Sequence, residues 1–266
     1  MDAPLWLIGA GNMGGAMLRG WIADGVAPRR ISVIDPVISE VPEGVRLLRS
    51  IPQNGPSPDI LVLAVKPQQL TEVCGLFSAR PDGPRLMISI LAGVEIATLA
   101  QAIPARQIIR AMPNLPVSIA KGVTVLFADK ADDVLRSEAT ALMAPLGLVE
   151  WIDDEQLFDA VTALSGSGPG FVFRFIDALA EAGTALGLPP EQSARLALAT
   201  VEGAASLAAQ SEATPAILAD RVASPGGTTR EGLNILDENA ALGDLLARTL
   251  SAAARRSAEL VKASRR

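Results

Sequence analysis

A glycine-rich turn near the start of the chain constrains its fold more than any other feature. The segment Gly9–Gly14 (GAGNMG) follows the apolar run Leu5–Ile8 and precedes a helical pattern that continues to about Ala23. In this setting the first glycine permits a tight turn from strand to helix, the second lets a pyrophosphate approach the backbone, and the third lets the helix pack closely on the sheet. Free N–H groups at the positive end of the helix dipole then face the phosphates. The residues expected to contact a dinucleotide are Gly9, Gly11, Asn12, Met13 and Gly14.

Short apolar runs of β type alternate with longer mixed stretches from residue 5 to about residue 152, which is typical of strand–helix–strand units on a parallel sheet. After about residue 155, alanine-rich segments with helical spacing replace them, at roughly 170–187, 190–209, 214–222 and 240–262. We therefore predict an α/β plus all-α fold, with a Rossmann dinucleotide-binding domain over residues 1–153 and a helical domain over residues 154–266. The predicted strands are Leu5–Ile8, Ile31–Ile34, Ile60–Val65, Leu86–Leu91, Gln107–Ala111, Val123–Phe127 and Leu148–Ile152.

The side chains that the chain lacks exclude several kinds of chemistry. Among 266 residues there is no His and no Tyr, so imidazole and phenol are not available as acid, base or metal ligand. This excludes Ser-His-Asp hydrolases, zinc sites built on His, and dehydrogenases whose proton relay is a His or a Tyr. We predict no metal site. The net charge of −6 also argues against binding to nucleic acid.

Three further observations concern the cellular compartment. The amino terminus, Met1–Pro4, lacks the basic region of a signal peptide, and the chain has no uncharged apolar window of about 18 residues. The single cysteine, Cys74, cannot form an internal disulfide, and is expected to be a small buried residue rather than a reactive thiol. We expect a soluble cytoplasmic protein without a membrane partner.

Residues at the carboxyl ends of the predicted strands extend the dinucleotide site, because ligands of open α/β sheets bind there. Asp35 ends the second strand, where a carboxylate can accept hydrogen bonds from the adenosine ribose and favour NAD. Because Pro36 follows it, Asp35 can instead be an ordinary turn-forming residue. The further candidates for cofactor contact are Ala64, Val65, Lys66, Pro67, Ala92, Gly93 and Asn114. Lys66 can instead be a solvated loop lysine, and Asn114 can instead cap a turn.

Five segments, in family order over nearly the whole chain, resemble the pyrroline-5-carboxylate reductase family. They are Ile8–Gly14, Leu63–Gln68, Met112–Asn114, Asp159–Pro169 and Val222–Thr229. The last two are the specific ones, since many Rossmann proteins share the first. The resemblance implies an amino-terminal Rossmann domain and a carboxy-terminal helical dimerisation domain that interlocks with its twin, in a homodimer or a higher oligomer of dimers. It also implies reduction of 1-pyrroline-5-carboxylate to L-proline, the last step of proline biosynthesis, with NADPH or NADH as cofactor.

The same resemblance assigns a substrate site to Ser224–Thr229. It places the substrate carboxylate on backbone N–H groups of this loop and the Thr229 hydroxyl, as the catalytic group, near the ring nitrogen. The residues alone indicate only a turn between helices, although glycines that expose amides at a helix start do suit a carboxylate. The resemblance also places Glu155 near the substrate loop of a partner subunit. The implied substrate-binding residues are Ser224, Gly226, Gly227, Thr228, Thr229 and Glu155.

Two other functions compete with this one. A β-hydroxyacid dehydrogenase shares the glycine opening, but it requires a lysine soon after a glycine-rich helix start, and here no lysine follows Ser165–Gly170 until Lys262. A nucleotide-binding regulatory protein without turnover would have no need of Ser224–Thr229.

The chain also departs from the family pattern, with Gly170 and Phe171 in place of the usual Ala and Tyr, Leu115 in place of Thr, and a short proline-rich loop before Asp59.

Overall fold

The computed structural model describes residues 4–77 and 82–264, and within them the strands form one eight-stranded sheet in the order β3-β2-β1-β4-β5-β6-β7-β8. Strands β6 and β7 run antiparallel, and the other neighbouring pairs of the sheet are parallel. The order of β3 to β6 is that of a Rossmann fold, which confirms the predicted α/β half. The strands are β1 (Leu5–Ile8), β2 (Ile31–Ile34), β3 (Arg46–Leu48), β4 (Ile60–Leu63), β5 (Leu86–Ser89), β6 (Gln107–Pro113), β7 (Gly122–Phe127) and β8 (Gly147–Trp151).

Four helices cover the two faces of this sheet: α1 (Asn12–Ala23), α2 (Leu70–Phe77), α3 (Ile96–Ala102) and α4 (Asp133–Met143). Side chains of α1 and α4 pack with Leu7, Val62 and Ile88 on one face, whereas those of α2 and α3 pack with Leu61 and Met87 on the other. Successive strand residues therefore point into different cores, which explains why the runs show no polar alternation. Each fully buried aliphatic side chain contributes about 1.5–3 kcal/mol.

The sheet differs from the predicted one at its edge and at several strand ends; β5, for example, ends at Ser89 rather than at the predicted Leu91. Strand β3 was not among the predicted strands, because its three residues form a half-exposed edge that begins with Arg46. Strand β4 ends at Leu63, short of the predicted Val65, whereas β6 continues to Pro113 because it pairs with β7 as far as Thr124.

The remaining helices follow the sheet along the chain: α5 (Phe158–Val161), α6 (Gly168–Ala185), α7 (Pro190–Gln210), α8 (Pro215–Arg221), α9 (Thr228–Asp237) and α10 (Ala241–Ser264). Helices α6 and α7 approach closely where Gly183 faces Ser193, whose hydroxyl donates to the carbonyl of Ala180 at 2.6 Å. Many large apolar side chains of these helices stay exposed in the single chain. They include Phe173, Phe175, Leu196, Leu198 and Leu207.

The chain forms two compact units, and their division differs from the predicted one at residue 153. The sheet unit comprises the described residues of Met1–Ser167 and Ala253–Arg266, and the helical unit comprises Gly168–Ala252. Residues after 153 belong to the sheet unit because Phe158 is buried against Phe127, with ring centroids 6.4 Å apart, and because Ser257 donates to Asp159 at 2.6 Å.

None of the helices in the described residues has both the length and the apolar composition that a membrane span requires. Residues Met1–Ala3, part of the segment that lacks a signal-peptide pattern, lie outside the described residues.

Candidate active site

The segment Gly9–Gly14, hereafter the first glycine turn, connects β1 to α1 at the carboxyl edge of the sheet. Gly9 has a φ of +87°, and a Cβ atom on it would lie 2.6 Å from the carbonyl oxygen of Ala64. A Cβ atom on Gly14 would lie 2.2 Å from the carbonyl oxygen of Gly9. Both positions therefore require glycine. Gly9 requires it because of its positive φ and its close approach to the backbone that follows β4, and Gly14 requires it so that α1 can pack closely.

The start of α1 has the features of an anion site. Gly11 is the N-cap residue, no side chain caps the helix, and its first turn contains no acidic residue. A Cβ atom on Gly11 would meet nothing within 4 Å, so the approach to the backbone is open. The unsatisfied N–H groups of a first helical turn, together with the positive end of the dipole, suit a pyrophosphate. The first glycine turn thus fits the phosphates of a dinucleotide.

The carboxylate of Asp35, which directly follows β2, braces the first glycine turn by hydrogen bonding to its backbone. One carboxylate oxygen accepts from the N–H of Ala10 at 2.9 Å, and the other accepts from Val37 and Ile38 at 2.8 and 3.1 Å. Burial by itself raises the pKa of Asp35, but these three hydrogen bonds and the charge of Arg49 outweigh it, so that the pKa is lowered. The geometry is that of the turn-forming alternative, extended to the first glycine turn. A contact of Asp35 with ribose stays a prediction.

The other predicted cofactor residues line the same edge of the sheet. Ala64 and Val65 are half-buried where the chain leaves β4, and Lys66 is exposed. The N–H of Lys66 donates to the side chain of Gln69 at 3.2 Å and so orders the turn that begins at Pro67. At the end of β5, Gly93 has a φ of +75°, a conformation that favours glycine.

Asn114 is buried, with 7% of its surface exposed, and both ends of its amide bind the protein. The amide nitrogen donates to the carbonyl of Ser165 at 3.0 Å, and the amide oxygen accepts from the N–H of Val123 at 2.8 Å. Asn114 therefore holds the π-helical turn Thr162–Gly166 against the sheet. This is a role closer to the turn-cap alternative than to a cofactor contact, which stays a prediction.

A cavity of about 330 Å³ lies in the sheet unit beside the end of β5, and Ala92, Gly93 and Glu155 are among its lining residues. Arg110 lines it too, although we did not single it out from the sequence. Its Nη1 donates to a carboxylate oxygen of Glu155 at 2.7 Å. The signal that could have identified Arg110 is its charge in the otherwise uncharged run Gln107–Pro113. The partner-subunit contact expected of Glu155 stays a prediction, because its carboxylate is engaged within its own unit.

The segment Ser224–Thr229, hereafter the second glycine turn, precedes α9 in the helical unit. The N–H of Gly227 donates to the carbonyl of Ser224 at 2.9 Å, and Gly226 has a φ of +71°. With Pro225 before that glycine, these are the marks of a type II turn. Gly227 is the N-cap of α9 and no side chain caps the helix, so the amides of Thr228 and Thr229 start an uncapped first turn. An ion pair between Arg230 and Asp220, at 2.8 Å, joins α9 to α8 across the loop.

Comparison with known proteins gives matches to both units. Residues 155–260 match the family model for pyrroline-5-carboxylate reductase dimerisation, and residues 5–93 match that for coenzyme F420-dependent NADP oxidoreductases. A pyrroline-5-carboxylate reductase of Synechocystis sp. is 39% identical over 98% of this chain and 100% of the relative. The structure of a pyrroline-5-carboxylate reductase from Coxiella burnetii has a TM-score of 0.89 and 35% identity, with 98% of this chain and 99% of that chain covered. The structure of Plasmodium falciparum pyrroline carboxylate reductase with NADP bound has a TM-score of 0.78 and 26% identity, with 98% of each chain covered.

Proposed function

This chain belongs to the pyrroline-5-carboxylate reductase family, and from that premise we propose how its two glycine turns serve the reaction. The enzyme reduces 1-pyrroline-5-carboxylate to L-proline with NADH or NADPH, the last step of proline biosynthesis. The observation that carries the proposal is that the sheet unit and the helical unit each contain a glycine turn at an uncapped helix start. One turn suits the phosphates of the cofactor, and the other suits the carboxylate of the substrate.

Composition and reaction agree, because an imine needs less acid catalysis than a ketone. Protonation of the cyclic imine gives an iminium carbon that already accepts a hydride, whereas reduction of a ketone produces an alkoxide that requires a proton donor. Reduced nicotinamide supplies the hydride when it is bound. The protein can then act chiefly by orientation, an effect worth up to about 7–11 kcal/mol in ideal cases. A chain without His or Tyr can meet that demand.

The cofactor site is proposed at the carboxyl edge of the sheet. The amides of the first glycine turn bind the pyrophosphate, and the chain segments that leave β4, β5 and β6 contact the rest of the cofactor. Asp35 reaches this site through its hydrogen bond to Ala10. The proposed cofactor-binding residues are Gly9, Gly11, Asn12, Met13, Gly14, Asp35, Ala64, Val65, Lys66, Pro67, Ala92, Gly93 and Asn114.

The substrate site is proposed at the second glycine turn. Backbone N–H groups of Gly226 and Thr228 bind the carboxylate, whereas the N–H of Gly227, which was expected to bind it too, donates to the carbonyl of Ser224 and closes the turn. The Thr229 hydroxyl is exposed at the first turn of α9, where it orients the ring nitrogen or relays a proton from water.

The family's dimerisation region and the exposed apolar side chains of α6 and α7 support a homodimer. We propose further that Glu155 lies near the substrate loop of the partner subunit, that dimers can assemble into a higher oligomer, and that the enzyme works in the cytoplasm without nucleic acid or membrane partners.

The Thr229 hydroxyl can be tested by kinetics. We expect Thr229→Ala to lower kcat/KM for 1-pyrroline-5-carboxylate about 100-fold, the lower end of what a positioned proton-transfer group contributes. Thr229→Ser is the matched control, because it keeps the hydroxyl and should keep most of the activity. The dissociation constant of NADPH, measured by fluorescence titration, should not change in either variant. Native kinetics for Thr229→Ala would remove Thr229 from the mechanism, and a wild-type protein that oxidises neither NADH nor NADPH with this substrate would contradict the proposed reaction.

A further inference from the structure

The function proposed so far assigns a partner contact to Glu155 but no role to Arg110 or to the buried ion pair that joins the two residues. Arg110, in β6, is only 6% exposed, and its guanidinium donates to Glu155 at 2.7 Å. The carbon atom of that guanidinium lies 4.0 Å from the ring centroid of Phe158. Phe158 in turn packs edge-to-face on Phe127 of β7. The cation is therefore held on two sides, by a carboxylate and by an aromatic face.

An ion pair of this kind is not explained by stability. Taking both charges out of water opposes their mutual attraction, so apolar side chains of similar size usually stabilise a core at least as well. The carboxylate of Glu155 comes from a segment 45 residues further along the chain than Arg110. The pair therefore contributes a fixed geometry between two distant segments rather than stability.

The oxygen atom of Glu155 that accepts from Arg110 also accepts from the backbone N–H of Ile96 at 2.9 Å. Ile96 is the first residue of α3, and the side chain of Glu95, at the N-cap, does not cap this helix. Glu155 thus replaces the missing cap from 59 residues away. Arg110 fixes the carboxylate in the position from which it does so.

The backbone held in this way leads directly into the proposed cofactor site. The residues between the end of β5 and Ile96 include Ala92 and Gly93, which we propose as cofactor contacts. A Cβ atom on Gly93 would lie 3.4 Å from the backbone nitrogen of Val261 in α10, so the segment is also packed from its other side. Movement of the start of α3 would shift Gly93 and, with it, the backbone surface offered to the nicotinamide half of the cofactor.

We propose that Arg110 and Glu155 are positioning residues for hydride transfer, which set the Ala92–Gly93 segment by anchoring the N–H of Ile96. The proposal rests on the proposed function for its kinetic consequence. Neither side chain touches the reacting atoms in this role. Glu155 therefore acts through the backbone of its own subunit, in addition to the partner contact proposed above.

Two substitutions of Glu155 separate anchoring from charge. Glu155→Gln keeps an oxygen acceptor for the N–H of Ile96, whereas Glu155→Ala removes the acceptor altogether. We expect Glu155→Ala to lower kcat at least 10-fold and to weaken NADPH binding about 3-fold or more, and Glu155→Gln to restore most of both. The matched control is Asp153→Ala. Asp153 pairs at 3.8 Å with Arg136, and the guanidinium of Arg136, like that of Arg110, lies over an aromatic ring, but the side chain of Asp153 is 96% exposed. This variant should behave as the wild type.

Hydrogen exchange of the amides from Ala92 to Ile96, measured with and without NADPH, gives a readout that does not depend on turnover. In the wild type these amides should become protected when NADPH binds, and in Glu155→Ala they should exchange faster while the amides of α1 stay unchanged. Native kcat and native exchange in a folded Glu155→Ala variant would overturn the proposal. Equal losses in the Gln and Ala variants would also overturn it, because they would indicate that the charge rather than the anchor matters. A wild type with protected amides but no turnover of 1-pyrroline-5-carboxylate would contradict the proposed function and leave the anchor standing.

Discussion

The two glycine turns look alike in sequence but are fixed by different forces. In the first, Gly9 and Gly14 are required because neighbouring backbone leaves no room for a Cβ atom. In the second, a Cβ atom on Gly226 would meet nothing within 4 Å, and glycine is favoured there only because the turn needs a positive φ. The fold of the sheet unit therefore sets the first turn, whereas local turn chemistry sets the second.

The largest effect is expected where packing sets the turn. In Gly14→Ala the new methyl group would lie 2.2 Å from the carbonyl oxygen of Gly9, and that backbone must move to accommodate it. We expect the dissociation constant of NADPH to rise more than 100-fold, and the unfolding free energy to fall by about 1–3 kcal/mol, the usual cost of overpacking. Calorimetric titration and denaturant unfolding measure the two effects.

Gly11→Ala is the control for this experiment, because its methyl group would enter open space. This variant should keep its unfolding free energy and lose affinity only for the cofactor, since the methyl group stands where the pyrophosphate approaches the backbone. Equal stability losses in both variants would contradict the distinction between packing and ligand approach.

Much of the sheet unit was predictable because its signals are local. The turn Gly9–Gly14 and most of the strands are each encoded within a few consecutive residues. The strand Arg46–Leu48 was not predictable, since a half-exposed edge of three residues has little apolar pattern. The end of β6 depended on its pairing with Thr124 in β7, and a single segment does not reveal such a pairing.

The residues assigned to the candidate site stay predictions, and the interactions that several of them make within the protein were not predictable. Asp35 was open between a ribose contact and a turn; its bonds to Val37 and Ile38 favour the turn, but its bond to Ala10, 25 residues away, had no signal in the sequence. Asn114 binds Ser165 across 51 residues, and Arg110 pairs with Glu155 across 45. Bonds between such distant segments form only after the chain has folded, and spacing in one sequence does not encode them.

An intermediate effect is expected where conformation alone sets the turn. Gly226→Ala places an L-residue at a φ of +71°, which costs about 1–2 kcal/mol. If the strained turn relaxes in the free protein, substrate binding must restore it. We then expect KM for 1-pyrroline-5-carboxylate to rise about 5- to 30-fold, which is this free energy expressed as a ratio, with no change in NADPH affinity. Steady-state kinetics with each substrate varied in turn distinguish the two.

Gly232→Ala, in the helix that follows the turn, is the matched control. Gly232 also faces open space but has an ordinary helical conformation, so alanine should be tolerated and should even stabilise α9 slightly. A substrate KM that rises equally in both variants would show that any methyl group added near the second glycine turn disturbs binding, and the conformational argument for Gly226 would fail.

The smallest effect on catalysis at neutral pH is expected from the carboxylate that braces the first turn. The pKa of Asp35 in the folded protein lies below its ordinary value of 3.8. The unfolded chain therefore takes up a proton at higher pH than the folded one, and the stabilisation by Asp35 is present above about pH 3.8 and is lost as the pH falls through the lower, folded pKa.

Asp35→Asn can satisfy fewer of the three backbone N–H groups, so the unfolding free energy at pH 7 should fall by about 1–3 kcal/mol. It should also fall less steeply than that of the wild type when the pH is lowered below 3.8. Asp129→Asn, which removes an exposed carboxylate of the same unit, is the control and should keep the wild-type pH profile. Parallel pH profiles for Asp35→Asn and the wild type would mean that Asp35 does not brace the first glycine turn as a carboxylate.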